Sequence, residues 1–245
     1  MLSINNLKKY YHTKKDEILA LDNISFEINN NELISIVGPS GCGKSTILSI
    51  IAGVLSKSNG EINKNCSIGY MLQNDLLFDW LTILDNCLLG LSINGKVNNY
   101  DKEYVINLLK KYGLYEYINK YPSSLSGGMK QRAALIRTLA IRPDILLLDE
   151  PFSAIDASTR VDVANDIYNI LTKEDKGFIL VTHDIKEAVS MSDKILILSN
   201  RPSYIKEMYI SDIGGNPKER RNNKLFNNVC DYITREIDSN VQWRT

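Results

Sequence analysis

Residues 33–46 read LISIVGPSGCGKST. The first five are an unbroken apolar run, which is how a strand covered on both faces reads. Gly38-Pro39-Ser40-Gly41-Cys42-Gly43-Lys44-Ser45 then fits G-x-x-x-x-G-K-[ST] in full, and Thr46 continues into a helical stretch to residue 53. Strand, glycine-rich loop and helix in that order are the context the pattern requires. The glycines let backbone N–H groups turn inward around phosphate. The helix N-terminus adds about half a positive charge. Lys44 is placed to reach β- and γ-phosphates, and Ser45 to bind Mg²⁺.

Outward from this stretch, strand-like runs recur: ISFEI (24–28), IGYML (68–72), ILLL (145–148), FILVT (178–182) and KILIL (194–198). Helical spacing fills 159–172 and 184–191 between them, so β and α alternate and an α/β core with a parallel sheet is expected. Residues 75–140 break the alternation and read mostly helical, with turns at Asn94-Gly95 and Tyr121-Pro122. From about 217 to 238, Leu225, Phe226, Val229, Cys230, Ile233 and Ile237 recur at helical spacing, predicting one amphipathic helix packed on its own domain.

The 245 residues are ample for one buried core. Lys+Arg and Asp+Glu both number 29, so no global charge draws the chain to nucleic acid or an anionic bilayer. The opening MLSINNLKKYYHTKKDE lacks the apolar segment of a signal peptide, and no run approaches the roughly 18–20 residues of a spanning helix. Cys42, Cys66, Cys87 and Cys230 are scattered, and Cys42 lies within the loop, so a reduced cytosolic setting is expected.

Two further stretches carry chemistry. ILLLDEP (145–151) ends an apolar strand in Asp149 and Glu150, two carboxylates for which a cation is a natural partner. Asp149 is the expected Mg²⁺ ligand and Glu150 the group that polarises the attacking water. SLSGGMKQR (124–132) is a second glycine-rich helix start, weak alone.

Together these stretches resemble the ATP-binding-cassette ATPase family. Leu125-Ser126-Gly127-Gly128-Met129-Lys130-Gln131 stands before ILLLDEP at the family's spacing, Gln73 follows IGYML, Ser153-Ala154-Ile155-Asp156 precedes a helix, and His183 ends FILVTH. The resemblance covers the whole chain. It implies a P-loop NTPase core, mostly a parallel sheet flanked by helices plus N-terminal antiparallel strands, with an inserted helical subdomain. Core would be 1–74 and 141–212, helical subdomain 75–140 and tail 213–245. It also implies head-to-tail homodimers in which ATP and Mg²⁺ sit on one subunit's Gly38–Thr46 loop. Ser126, Gly127, Gly128 and Gln131 of the other subunit close on the nucleotide. Tyr11, with Tyr10 as the adjacent alternative, would stack on adenine. Gln73 would join Ser45 and Asp149 at the metal and act beside Glu150 in catalysis. His183 would bridge to the γ-phosphate, and Asp156 would link the two sites.

The family branch follows from Gln73-Asn74-Asp75-Leu76-Leu77-Phe78-Asp79-Trp80-Leu81-Thr82-Ile83 and Leu198-Ser199-Asn200-Arg201-Pro202-Ser203. Both resemble the nitrate/sulfonate/taurine importer group, although Asp79 replaces a proline and Ser203 a glycine. That implies separate transmembrane permease subunits, an extracytoplasmic substrate-binding protein, no nucleic acid partner, and a peripheral place on the cytoplasmic membrane face. Leu77, Phe78, Trp80 and Leu81 either receive a permease helix or pack inside the helical subdomain. A pyrimidine vitamin precursor as cargo, or a soluble ATPase acting on nucleic acid or ribosomes, are the competing readings.

Overall fold

The computed structural model of the chain describes residues 1–12, 16–29, 31–93, 95, 97–153, 155, 157–174 and 176–239. In chain order these form β1 (Leu2–His12), β2 (Glu17–Ile28), β3 (Leu33–Val37), α1 (Lys44–Ile51), β4 (Asn59–Lys64), β5 (Ile68–Met71), α2 (Ile83–Ile93), α3 (Asn99–Lys111), α4 (Gly127–Ala140), β6 (Ile145–Asp149), α5 (Ala157–Lys173), β7 (Gly177–Val181), α6 (Ile185–Met191), β8 (Lys194–Leu198), β9 (Ile205–Ile210), α7 (Pro217–Arg221) and α8 (Phe226–Asp238). Two 3-10 turns, Tyr115–Tyr117 and Pro122–Ser124, connect α3 to α4.

A six-stranded sheet has the order β5-β6-β7-β3-β8-β9. Strands β5, β6, β7, β3 and β8 are parallel, and β9 pairs antiparallel to β8. The apolar runs are explained by burial on both faces. Along β6, Leu146 and Leu148 share a core with the helical insertion, whereas Ile145 and Leu147 face the opposite layer. Phe178 and Leu180 divide from Ile179 and Val181 along β7 in the same way. On the first face Val105 of α3, Leu135 of α4 and Ile167 of α5 join that core. On the second, Ile47 and Ile51 of α1 pack with Leu2, Ile4 and Leu7 of β1.

The N-terminal layer is a separate antiparallel sheet, β2-β1-β4. It extends well beyond the expected 24–28 run, because β2 starts at Glu17 and pairs with β1 from Leu2↔Ile28 to His12↔Glu17. The C-terminal stretch forms two helices, not one. Asn216 and Glu219 make a reciprocal capping box that starts α7, and the chain restarts after Asn222, with Asn223 Oδ1 accepting from the Leu225 N–H at 2.9 Å. Helix α8 buries Phe226, Val229, Cys230 and Ile233 against Ile195, Ile197 and Ala188. Helix α1 is shorter than expected, ending at Ile51 just before Gly53 at φ 79°.

Parallel pairing fixes the level at which the strands end. Asp149 lies opposite Val181, Val181 opposite Ile36, and Val37 opposite Ile197. The segments leaving β3, β6, β7 and β8 therefore emerge along one edge, where open α/β sheets place their ligand sites.

Candidate active site

The loop after β3 is held by its own chain and by its neighbours. Gly43 sits at φ 114°, and a Cβ there would lie 2.8 Å from Leu21 Cδ2, so both backbone and space demand glycine. Lys44 is buried and its Nζ donates to the carbonyls of Gly38 (2.9 Å) and Pro39 (3.0 Å). Those carbonyls hold the ammonium in the mouth of the loop. Cys42 is buried behind the loop, and burial pushes its thiol up. In front lies a cavity of about 530 Å³ lined by Ser40, Gly41, Lys44, Thr46, Glu150 and His183 among others. That is the size of a small-ligand site.

Asp149 ends β6 with 6 % exposure. Ser45 Oγ donates to its Oδ1 at 2.9 Å and the Tyr70 hydroxyl to its Oδ2 at 3.2 Å. Burial raises the Asp149 carboxyl above the ordinary range, and these two hydrogen bonds oppose the rise; the neighbouring Glu150 adds to it. A buried carboxylate beside a hydroxyl is a hard-oxygen pair of the kind that holds Mg²⁺ together with nucleotide phosphates. Among the described residues, no cluster of three or more His, Cys, Asp or Glu forms a metal cage.

Glu150 takes φ 45°, a left-handed conformation that a non-glycine residue adopts at a cost of about 1 kcal/mol or more. Its N–H donates to Val181 O at 2.8 Å, and its carbonyl accepts from the Ser153 N–H (3.2 Å) and Oγ (3.0 Å). The fixed backbone aims the carboxylate at the cavity. Gln73 Nε2 donates to Glu150 Oε2 at 3.2 Å, and His183 Nδ1 is also 3.2 Å from that oxygen. Three residues from three separate segments thus meet at one atom. His183 leaves β7 just ahead of α6, which Asp184 caps by accepting from the N–H groups of Lys186 (2.8 Å) and Glu187 (3.3 Å).

Tyr11 reaches the far end of the loop, with its hydroxyl 3.2 Å from Thr46 Oγ1. Its ring is 36 % exposed and has the Lys9 ammonium 5.3 Å from its centroid.

Ser126, Gly127 and Gly128 lie elsewhere. Ser126 caps α4 by accepting from the Met129 N–H at 3.4 Å. The three line a second cavity of about 430 Å³, walled by Arg132, Ile155 and Val163. A Cβ on Gly128 would come 2.8 Å from Val163 Cγ2, so α4 approaches α5 closely there. Gln131 stands apart from this surface: it is 1 % exposed and its Oε1 has no hydrogen-bond partner among the described residues. Asp156 lies outside the described residues. Three contributors escaped the sequence reading: Tyr70 on Asp149, Arg201 at the cavity rim, and Arg137 of α4. Arg137 Nη1 and Nη2 donate to the carbonyls of Leu76 and Asp75, each at 2.6 Å, tying α4 to the segment after Gln73. Only Arg201 carried a signal, as part of LSNRPS.

A parallel sheet with a phosphate loop after one strand, an acidic pair after another and a helical insertion between β5 and β6 defines a P-loop ATPase. The chain matches the family described as ABC transporter over residues 21–153. It is 41 % identical over 97 % of its length to the uncharacterized ABC transporter ATP-binding protein YtlC of Bacillus subtilis, covering 96 % of that protein. It is 38 % identical over 83 % of its length to the aliphatic sulfonates import ATP-binding protein SsuB of Bacillus cereus, covering 83 % of that protein. Among solved structures it is similar to the dimeric, post-hydrolysis ATP-binding cassette MJ0796 bound to ADP and Pi, with TM-score 0.74 and 29 % identity over 86 % of this chain and 98 % of that one. The chain belongs to the ABC transporter family, and it is an ATP-binding ATPase subunit.

Proposed function

We propose that this chain drives a membrane importer for a small anion or organic solute of the nitrate, sulfonate or taurine type. Two copies would act head to tail. ATP bound at the Gly38–Thr46 loop of one copy would be closed over by Ser126, Gly127 and Gly128 of the other. The observation that carries this is the separation of the two glycine-rich helix starts, which line different cavities of one chain. Neither cavity has both, so a second copy completes each. The dimeric state of the similar cassette supports the same arrangement.

In this reading Tyr11 stacks on adenine, and Lys44 leaves the Gly38 and Pro39 carbonyls for the β- and γ-phosphates. Ser45 and Asp149 would hold Mg²⁺, with Gln73 approaching from the Glu150 side. The ion neutralises phosphate charge when bound. Glu150 accepts a proton from water as the water oxygen bonds to the γ-phosphorus and the bond to ADP breaks. Base catalysis of this kind is worth about 10²–10⁴ in rate. Gln73 and His183, both on Oε2, orient the carboxylate, and His183, which lines the cavity, would bridge to the γ-phosphate. Asp156 is assigned to coupling between the two sites by resemblance.

The importer branch rests on the 38 % identity with SsuB and on the segments 73–83 and 198–203. Among the described residues no helix is long and apolar enough to cross a membrane; in this reading separate permease chains would form the pathway. The chain would then sit on the cytoplasmic membrane face, and a binding protein would deliver the cargo from outside. Trp80 is 73 % and Phe78 37 % exposed, with ring centroids 4.9 Å apart, whereas Leu77 is buried. The exposed pair is the proposed permease contact.

Affinity purification of tagged Glu150→Gln protein from solubilised membranes with ATP present tests the reading. Co-purification of a multi-span protein is the expected result. Ribosomes, nucleic acid or no partner would overturn it.

A further inference from the structure

The turn between β8 and β9 is built more firmly than a surface connection needs. The Ser199 N–H donates to Tyr204 O at 3.0 Å, and Ser199 Oγ accepts from the Tyr204 N–H at 3.0 Å while donating to Asn200 O at 2.9 Å. Ser203 is fully buried, its N–H donating to Ala20 O (3.0 Å) and its carbonyl accepting from the Asp22 N–H (2.8 Å). The turn is thereby stitched to both β8 and β2. The end of β8 that leads into it touches the phosphate loop: a Cβ at Gly38 would meet Leu198 Cβ at 3.0 Å. At its tip, Arg201 Nη2 donates to the carbonyl of Gly41 at 2.6 Å and the side chain lines the same cavity as Lys44. No carboxylate among the described residues forms an ion pair with Arg201.

We infer that Arg201 is a second cation of the nucleotide cavity and a positioning residue for the phosphate loop. Two physical effects combine. The guanidinium holds the Gly41 carbonyl, which restrains the loop backbone and favours the turn of the neighbouring N–H groups toward a phosphate. Its charge, on a rigid turn and without an ion-pair partner among the described residues, raises the potential at the cavity rim for a polyanion. The ligand class is a nucleoside triphosphate with its phosphates toward the loop. This rests on the nucleotide reading of the cavity proposed above.

Equilibrium binding of a fluorescent ATP analogue, and of its diphosphate counterpart, tests the inference on Arg201→Gln and Arg201→Lys in the full chain at several salt concentrations. Thermal melting first establishes that each variant is folded. Arg201→Gln is expected to bind the triphosphate about tenfold more weakly at low salt, with a shallower salt dependence and a smaller loss for the diphosphate. Arg201→Lys should recover most of the affinity. Wild-type affinity in Arg201→Gln overturns the inference. So does a loss of affinity with an unchanged salt slope that lysine fails to rescue, since that assigns Arg201 to packing of the turn. A Lys44→Ala control separates the two levels: if it binds ATP like the wild type, the nucleotide reading of the cavity fails instead.

Discussion

Glu150→Gln isolates the proposed base. Glutamine keeps the side-chain volume, and it meets the same φ of 45° that the Val181 and Ser153 hydrogen bonds impose. Gln73 Nε2 and His183 Nδ1, both 3.2 Å from Oε2, keep a carbonyl oxygen to contact. What disappears is the capacity to take a proton and one of two adjacent negative charges. Loss of a positioned base should lower kcat by about 10²–10⁴, or about 3–5 kcal/mol in the barrier. Stability should change by less than about 1 kcal/mol, because no volume is lost and one like-charge contact with Asp149 is removed. The assay is phosphate release at saturating ATP, with equilibrium nucleotide binding and urea unfolding on the same preparations. Retained affinity with collapsed turnover is expected. Turnover near wild type in a folded variant would refute the reasoning and place the proton on another group. Equal loss of affinity and turnover would make Glu150 a binding residue.

Asp149→Asn should stabilise the nucleotide-free protein at pH 7. Folding raises the Asp149 pKa, so this group favours folding below the unfolded-state value and loses that contribution as pH rises through the folded-state value. The gain over wild type, read by urea unfolding, should shrink toward about pH 4, while ATP hydrolysis is lost across the range. Trp80→Ala should weaken permease assembly in a co-purification assay with nucleotide binding intact; normal assembly would remove that surface from the proposal. Gly128→Ala places a methyl 2.8 Å from Val163 Cγ2, so it should destabilise by about 1–3 kcal/mol and weaken ATP-dependent dimerisation measured by light scattering.

Much of the core was legible in the chain because burial on both faces leaves no polar position: LISIV, ILLL and FILVT are β3, β6 and β7 nearly residue for residue. Strands with one open face hide better. In β1, Lys8 and Lys9 interrupt the apolar alternation, and β4 reads NGEINK, so pairing and not composition makes them strands. The break between α7 and α8 was hidden because helical spacing of the apolar residues resumes after residues 222–224, while the capping that ends and restarts the helix is local hydrogen bonding.

By itself the sequence determined the phosphate loop, since glycine spacing, Lys44 and Ser45 are local chemistry between a strand and a helix. It also determined which residues carry acid, amide and imidazole groups. Tertiary structure alone decided how they meet. Parallel pairing brings Gln73, Glu150 and His183 to one oxygen, although 77 positions separate the first two. It likewise seats Arg201 on Gly41, 160 positions away, because β8 lies beside β3. It buried Gln131 while leaving Ser126 at an open helix start. Strand order and register are long-range properties, and no window of residues contains them.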